Sequence, residues 1–192
     1  MTSALGRIKR GLLFALKALL LLFVARMMLL QVPELLYDIS GPTPVRIEGP
    51  QDLAPGRFKT STFVNIAGRP DFTRAFVLPT HGLRITSFPI EPYGMNLIAR
   101  TYDKVDEEWE KLDHFVGRLR PFKQQPFRGR IQKIFLGQYQ REIPEGAYVL
   151  TLYDVPHLSG WQVGAVIFAG LLWALMFFFF FVRRRHIVPA EY

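Results

Sequence analysis

The 192-residue chain contains no cysteine, which excludes disulfides, thiolate metal ligands and a cysteine nucleophile. Histidine is scarce: His81, His114, His157 and His186 stand far apart, with no His-x3-His pair to nucleate a zinc site. Asn65 is followed by Ile-Ala and Asn96 by Leu-Ile, so no Asn-x-Ser/Thr acceptor marks a glycosylated secretory domain. The sequence holds no G-x-S-x-G elbow, no Walker-type G-x4-G-K-[ST] and no G-x-G-x-x-G. Catalytic, metal and cofactor residues are therefore expected to be none. Ser159 in "HLSGW" precedes an apolar run instead of sitting on a strand-to-helix turn.

Charge is missing selectively. The first acid is Glu34, and residues 161–182 carry no charge of either sign. Divided along the chain, the net charge of +8 is +5 in residues 1–32, +1 in residues 33–160 and +2 in residues 161–192. A basic balance concentrated beside apolar runs reports membrane orientation and argues against nucleic acid as a partner.

What is present is two apolar runs, 11–32 and 161–182, each close to the ~20 residues needed to cross a ~30 Å hydrocarbon core. Arg7, Lys9 and Arg10 precede the first, and Arg183, Arg184 and Arg185 follow the second. Positive charge beside a span stays on the cytoplasmic side. The expected layout is a cytoplasmic basic segment 1–10, a transmembrane helix 11–32, an extracytoplasmic domain 33–160, a second span 161–182 and a cytoplasmic segment 183–192. Trp161 is placed as an interfacial aromatic anchor. No small-x-small cleavage site lies around Ala25, which favours an uncleaved signal anchor over a cleaved signal peptide. A bacterial inner membrane suits a disulfide-free exported domain, with a mitochondrial inner membrane as the alternative.

Two cations interrupt the first run. Lys17 and Arg26 are nine residues apart, about 13 Å along a helix and close to 180° around it. They either snorkel to opposite interfaces or meet a carboxylate from another chain, because the second run offers none.

The central residues predict a β-rich α+β domain, with a small partly open barrel as one form it takes. Strands are expected at 58–67, 75–78, 83–88, 96–102, 115–119 and 147–153, separated by Gly and Pro turns. Val105, Trp109 and Leu112 recur at helical spacing after a capping Asp103. Ile131, Ile134, Phe135 and Tyr139 give 127–141 a helical apolar face.

Six acids fall between Asp103 and Asp113. From His114 to Arg141 there is no acid, while Arg118, Arg120, Lys123, Arg128, Arg130, Lys133 and Arg141 are basic, with Phe122, Phe127 and Tyr139 among them. Two readings follow: the acidic segment neutralises the basic one internally, or the basic one meets anionic headgroups or an acidic partner. In the second span, Gly160/Gly164, Ala165/Ala169 and Gly170/Ala174 are small-xxx-small pairs of the kind that allow close helix approach, and so a homo-oligomer.

One span at each end of an exported domain, with Pro156-His157-Leu158-Ser159-Gly160-Trp161 leading into the last span, resembles the Surfeit-type cytochrome oxidase assembly family. The resemblance implies a respiratory-complex assembly factor; the Arg-Gly-Trp stretch of that family is absent here. The leading expectation from the residues themselves is a non-enzymatic accessory, scaffold or assembly subunit of a membrane complex, partnered by lipid and another membrane protein. The rival is an enzyme acting on lipid or envelope substrates, with a site gathered around His81, His114 or Asp113.

Overall fold

A computed structural model describes residues 2–80, 83–125 and 128–182. They form an α+β structure with a mixed β-sheet and two helices long and apolar enough to cross a membrane, Gly11–Ile39 and Gly160–Val182. The chain divides into two compact units. One contains the two long helices as far as Leu36 and from Leu158 onward; the other is Tyr37–His157.

In the first unit, α1 (Thr2–Ile39) runs antiparallel to α3 (Gly160–Phe177), whose last turns, Phe178–Val182, are π-helical. The direction follows from the contacts. Phe14 meets Phe181 edge-on at 5.5 Å, the Trp173 indole donates to the Leu21 carbonyl at 3.1 Å, and Gly170 lies opposite the Met28 methyl. Trp173 thereby satisfies a donor that lipid cannot. Ser159 caps α3 in a reciprocal box with Gln162.

α1 does not stop where Pro33 suggests it should. It continues through Pro33 to Ile39, since 34–39 is a helix-compatible stretch and one missing donor is tolerated in a long helix. Ser40 then closes it, its amide and hydroxyl both donating to the Tyr37 carbonyl, and Gly41 takes φ +87°.

The second unit holds an eight-stranded sheet ordered β1-β2-β7-β8-β6-β5-β3, with β4 also on β5. The strands are β1 (Val45–Ile47), β2 (Thr62–Ala67), β3 (Arg69–Pro70), β4 (Phe76–Thr80), β5 (Leu83–Glu91), β6 (Gly94–Thr101), β7 (His114–Pro121) and β8 (Tyr148–Leu152). β1 on β2 and β6 on β8 are parallel; the other pairs are antiparallel.

The sheet has two covered faces, which a single barrel interior would not need. On face A, Val64, Ile66, Phe88, Leu97, Ala99, Phe115, Leu119, Leu150 and Leu152 form the larger core. Leu53, Phe58, Val105, Trp109 and Leu112 close over it from the loops. On face B a smaller core joins Phe76, Leu78, Ile98 and Val149 to Phe135 of α2 (Arg128–Tyr139). The partly open barrel expected from strand count therefore gives way to an open sheet: among the described residues β1 pairs with β2 alone, and β3 and β4 with β5 alone. Elements on both faces bury apolar surface that barrel closure would otherwise enclose.

Most expected strands stand within a few residues of their predicted places. The capping residue of the acidic turn is Asp106, not Asp103, and the turn is a short 3₁₀ segment, Glu107–Lys111. β1 and β3 carry too few residues to announce themselves in sequence.

Candidate functional site: the basic face of the sheet

Strand register assigns side chains to faces. A row of directly paired residues crosses the sheet as Phe63, Arg118, Thr151, Arg100, Ser87 and Phe76. Phe76 belongs to the core under α2, so the whole row is on face B. Arg120, paired with Val149, and Arg46, paired with Asn65, share that face. Face B thus carries Arg46, Arg100, Arg118 and Arg120 before α2 is counted.

Arg118 sits at the place where the chain joins this unit. Its guanidinium stacks 4.0 Å from the Tyr37 ring centroid and lies 3.8 Å from an Asp154 carboxylate oxygen. The Tyr37 hydroxyl donates to the Asp154 carbonyl. A residue in the last turn of α1 and one just after β8 are in this way tied to one buried cation, 5% exposed, by stacking, charge and a hydrogen bond. Arg118 is consequently not an exposed docking residue, although it begins the basic run in sequence. Arg120 is half-buried and donates through Nε to the Ser61 hydroxyl. Arg100 stacks on Tyr102 at 5.1 Å and donates to its hydroxyl, while its Nε is buried with no hydrogen-bond partner.

The remaining five cations of the run are exposed. Arg128 donates to the Lys123 carbonyl at 3.1 Å; Lys123, Arg130, Lys133 and Arg141 make no ion pair within the described residues. Ile131, Ile134, Phe135 and Tyr139 turn inward onto face B, and the Tyr139 hydroxyl holds the Ala75 carbonyl at 2.8 Å. Arg130, Lys133, Leu136 and Gly137 are left on the outer side. Arg128 and Arg130 occupy the first turn, where no acid is present and the helix dipole already presents positive charge. That placement disfavours the helix by a few tenths of a kcal/mol per cation.

The acidic segment lies across the sheet from this helix. Val105, Trp109 and Leu112 pack on the face A core, so Glu107, Glu108 and Glu110 are carried on the side opposite α2. No ion pair joins the two segments among the described residues. Internal neutralisation, one of the two readings of the sequence, does not form because β-strands separate the charges.

A second polar place exists on face B. Arg46, Glu48, Asn65 and His114 line a cavity of about 160 Å³. His114 Nδ1 is 3.0 Å from Asp113, and that hydrogen bond, followed by the imidazole charge, holds the Asp113 carboxyl below its usual range. Among the described residues the lining offers no serine, threonine or cysteine beside the pair. His81 and His186 lie outside the described residues.

No protein-family model, curated protein or solved structure matches the chain. The reading of the site therefore rests on its geometry and charge.

The other sequence-predicted residues fall as follows. Lys17 Nζ stands 5.1 Å over the Phe180 ring, and Arg26 lines an apolar groove with Leu16, Leu19, Leu20, Leu22 and Phe23. Trp161 is 82% exposed. Lys9 is exposed; the side chains of Arg7 and Arg10, and residues Arg183, Arg184 and Arg185, lie outside the described part. Of the small residues, Gly170 and Ala169 are partly covered within the helix pair, whereas Gly160, Gly164, Ala165 and Ala174 are exposed. Arg46, Arg100 and the Tyr37–Arg118–Asp154 cluster were not legible in sequence. The one available signal was the period-2 placement of Arg118 with Arg120, and of Arg100 with Ile98, which puts each pair on one face of its strand.

Proposed function

We propose that the chain is a non-enzymatic accessory, scaffold or assembly subunit of a membrane complex that works by binding through the basic face of its second unit. In this reading both long helices cross the bilayer, their flanking basic segments stay in the cytoplasm, and the sheet unit is exported, most simply into a bacterial periplasm. The antiparallel pairing of α1 with α3 supports an arrangement in which both flanking segments share one side.

The observation that carries the proposal is the separation of charge across the sheet. Among the described residues, five exposed cations on and beside α2 form no ion pair, in a unit with six acids from Asp103 to Asp113 on or beside a segment that packs on the other face. Cations without an ion pair among the described residues, two of them opposing a helix dipole, suit an anionic counterpart outside the chain. Among the described residues, the enzyme alternative has the exposed Asp113–His114 pair beside a small cavity.

A photo-crosslinking side chain at Lys133, in native membranes, is expected to give adducts with protein or lipid, while the same probe at Glu107 gives none. Absence of any adduct from Lys133 would remove the binding reading.

A further inference from the structure

We infer that the ligand of the basic face is the anionic phospholipid surface of the leaflet on the sheet unit's own side, so that α2 is held down on the headgroups. This rests on the binding reading above and names its counterpart.

Tyr37 packs on Arg118, and Arg118 is on face B. Tyr37 lies in the last turn of α1, two residues before its end at Ile39. Thr151, which pairs with Arg118, is two residues along β8 from Val149, which lies under α2. The place where the chain leaves the apolar helix and the place where α2 packs are therefore neighbours, about 7 Å apart on the same face.

The chemistry of the surface selects lipid over a protein. A specific protein interface needs a desolvated core rich in aromatic and large apolar side chains. On α2 the apolar side is already buried against the sheet, and Leu136 is the one large apolar side chain exposed along the helix. What remains is a spread of arginines and lysines that form no ion pair among the described residues, which suits a plane of phosphates. Arg100 and Tyr102 extend it on face B: Tyr102 is 47% exposed, and tyrosine is favoured at headgroup level. Acids border this face too: Asp113 is bonded to His114, Asp154 lies beside Arg118, and Glu142 and Glu145 flank Ile143 of the face B core after α2.

The natural absence of cysteine makes the test direct, because one introduced thiol is unique. Full-length protein carrying Leu136→Cys with a fluorophore is reconstituted in nanodiscs of neutral phosphatidylcholine, or with phosphatidylglycerol added, each containing a headgroup quencher. Quenching is expected in the anionic discs, weak in the neutral ones, and reversed by molar salt. Replacing Arg130, Lys133 and Arg141 by Gln should lower the docked-to-undocked ratio about fivefold per cation. These side chains are exposed and outside the cores, so the folded unit survives their loss, checked by circular dichroism. A fluorophore at Glu107→Cys on the opposite face should stay unquenched. Equal quenching in neutral and anionic discs, none in either, or quenching from Glu107 instead of Leu136 would overturn the inference. Protein adducts at Lys133 in cells with no docking in anionic discs would overturn it too, yet leave the binding reading standing.

Discussion

Tyr93 shows how one hydroxyl sets a pH limit. Its side chain is buried in the face A core, and its OH has no hydrogen-bond partner among the described residues. Burial, then the charges of Asp52 and Glu48, push its pKa up to about 12 from 10.0. Since the folded value is the higher one, the unfolded chain loses this proton first. The stability involved is complete below pH 10 and is lost as the pH rises toward about 12. Tyr93→Phe removes an unsatisfied group without opening a cavity. Thermal melts should show a gain of about 1 kcal/mol at neutral pH and a shallower fall above pH 10. Unchanged melts would mean that the hydroxyl finds water. No feature of the sequence around Tyr93 distinguishes it from a surface tyrosine, because its environment is assembled from Asp52, Glu48 and Gly68, far away in the chain.

At the scale of elements, two glycines have opposite meanings. In β7 a Cβ on Gly117 would lie 2.1 Å from the Thr151 carbonyl oxygen, which belongs to the backbone of β8 and cannot rotate away. Gly117→Ala should lower stability by about 2–3 kcal/mol and loosen the β7–β8 pair that carries Arg118, read by hydrogen exchange across both strands. Gly137 lies within α2 with open space where its Cβ would be. Gly137→Ala should raise stability by up to about 1 kcal/mol. Equal effects at the two sites would show that the strands are not in contact as described. The α2 helix was legible from Ile131, Ile134, Phe135 and Tyr139, because period 3.6 is a local property. The failure of its charges to meet Glu107, Glu108 and Glu110 was not legible. Sequence proximity suggests neutralisation, and only the sheet between them prevents it.

At the scale of the whole molecule, the two cations of the first apolar helix have unequal surroundings. Lys17 already has a counterpart in the Phe180 ring, whereas Arg26 faces an apolar groove with no carboxylate near it in the described residues. Lys17→Leu and Arg26→Leu should both insert normally if the cations reach the interfaces by snorkelling. Loss of a larger assembly on native gels with Arg26→Leu alone would point to an acidic partner helix. Orientation is checked by a compartment-sensitive reporter after Val182. Activity confined to the cytoplasm agrees with the proposed topology, and activity only outside it reverses the assignment of sides.

The two apolar runs, their flanking charge and the β-rich α+β character of the centre are decided by sequence alone, since length, hydropathy and periodicity act locally. The acidic and basic runs, too, are plain in the chain. Which of them face each other is a tertiary matter. Register places Arg118 beside Thr151 and opposite Tyr37, and puts the strands between Glu107 and Arg130. Side-chain facing in a sheet changes with every residue of register, and long-range pairing sets that register. The basic face is therefore a product of the fold, made from residues whose charge was visible and whose direction was not.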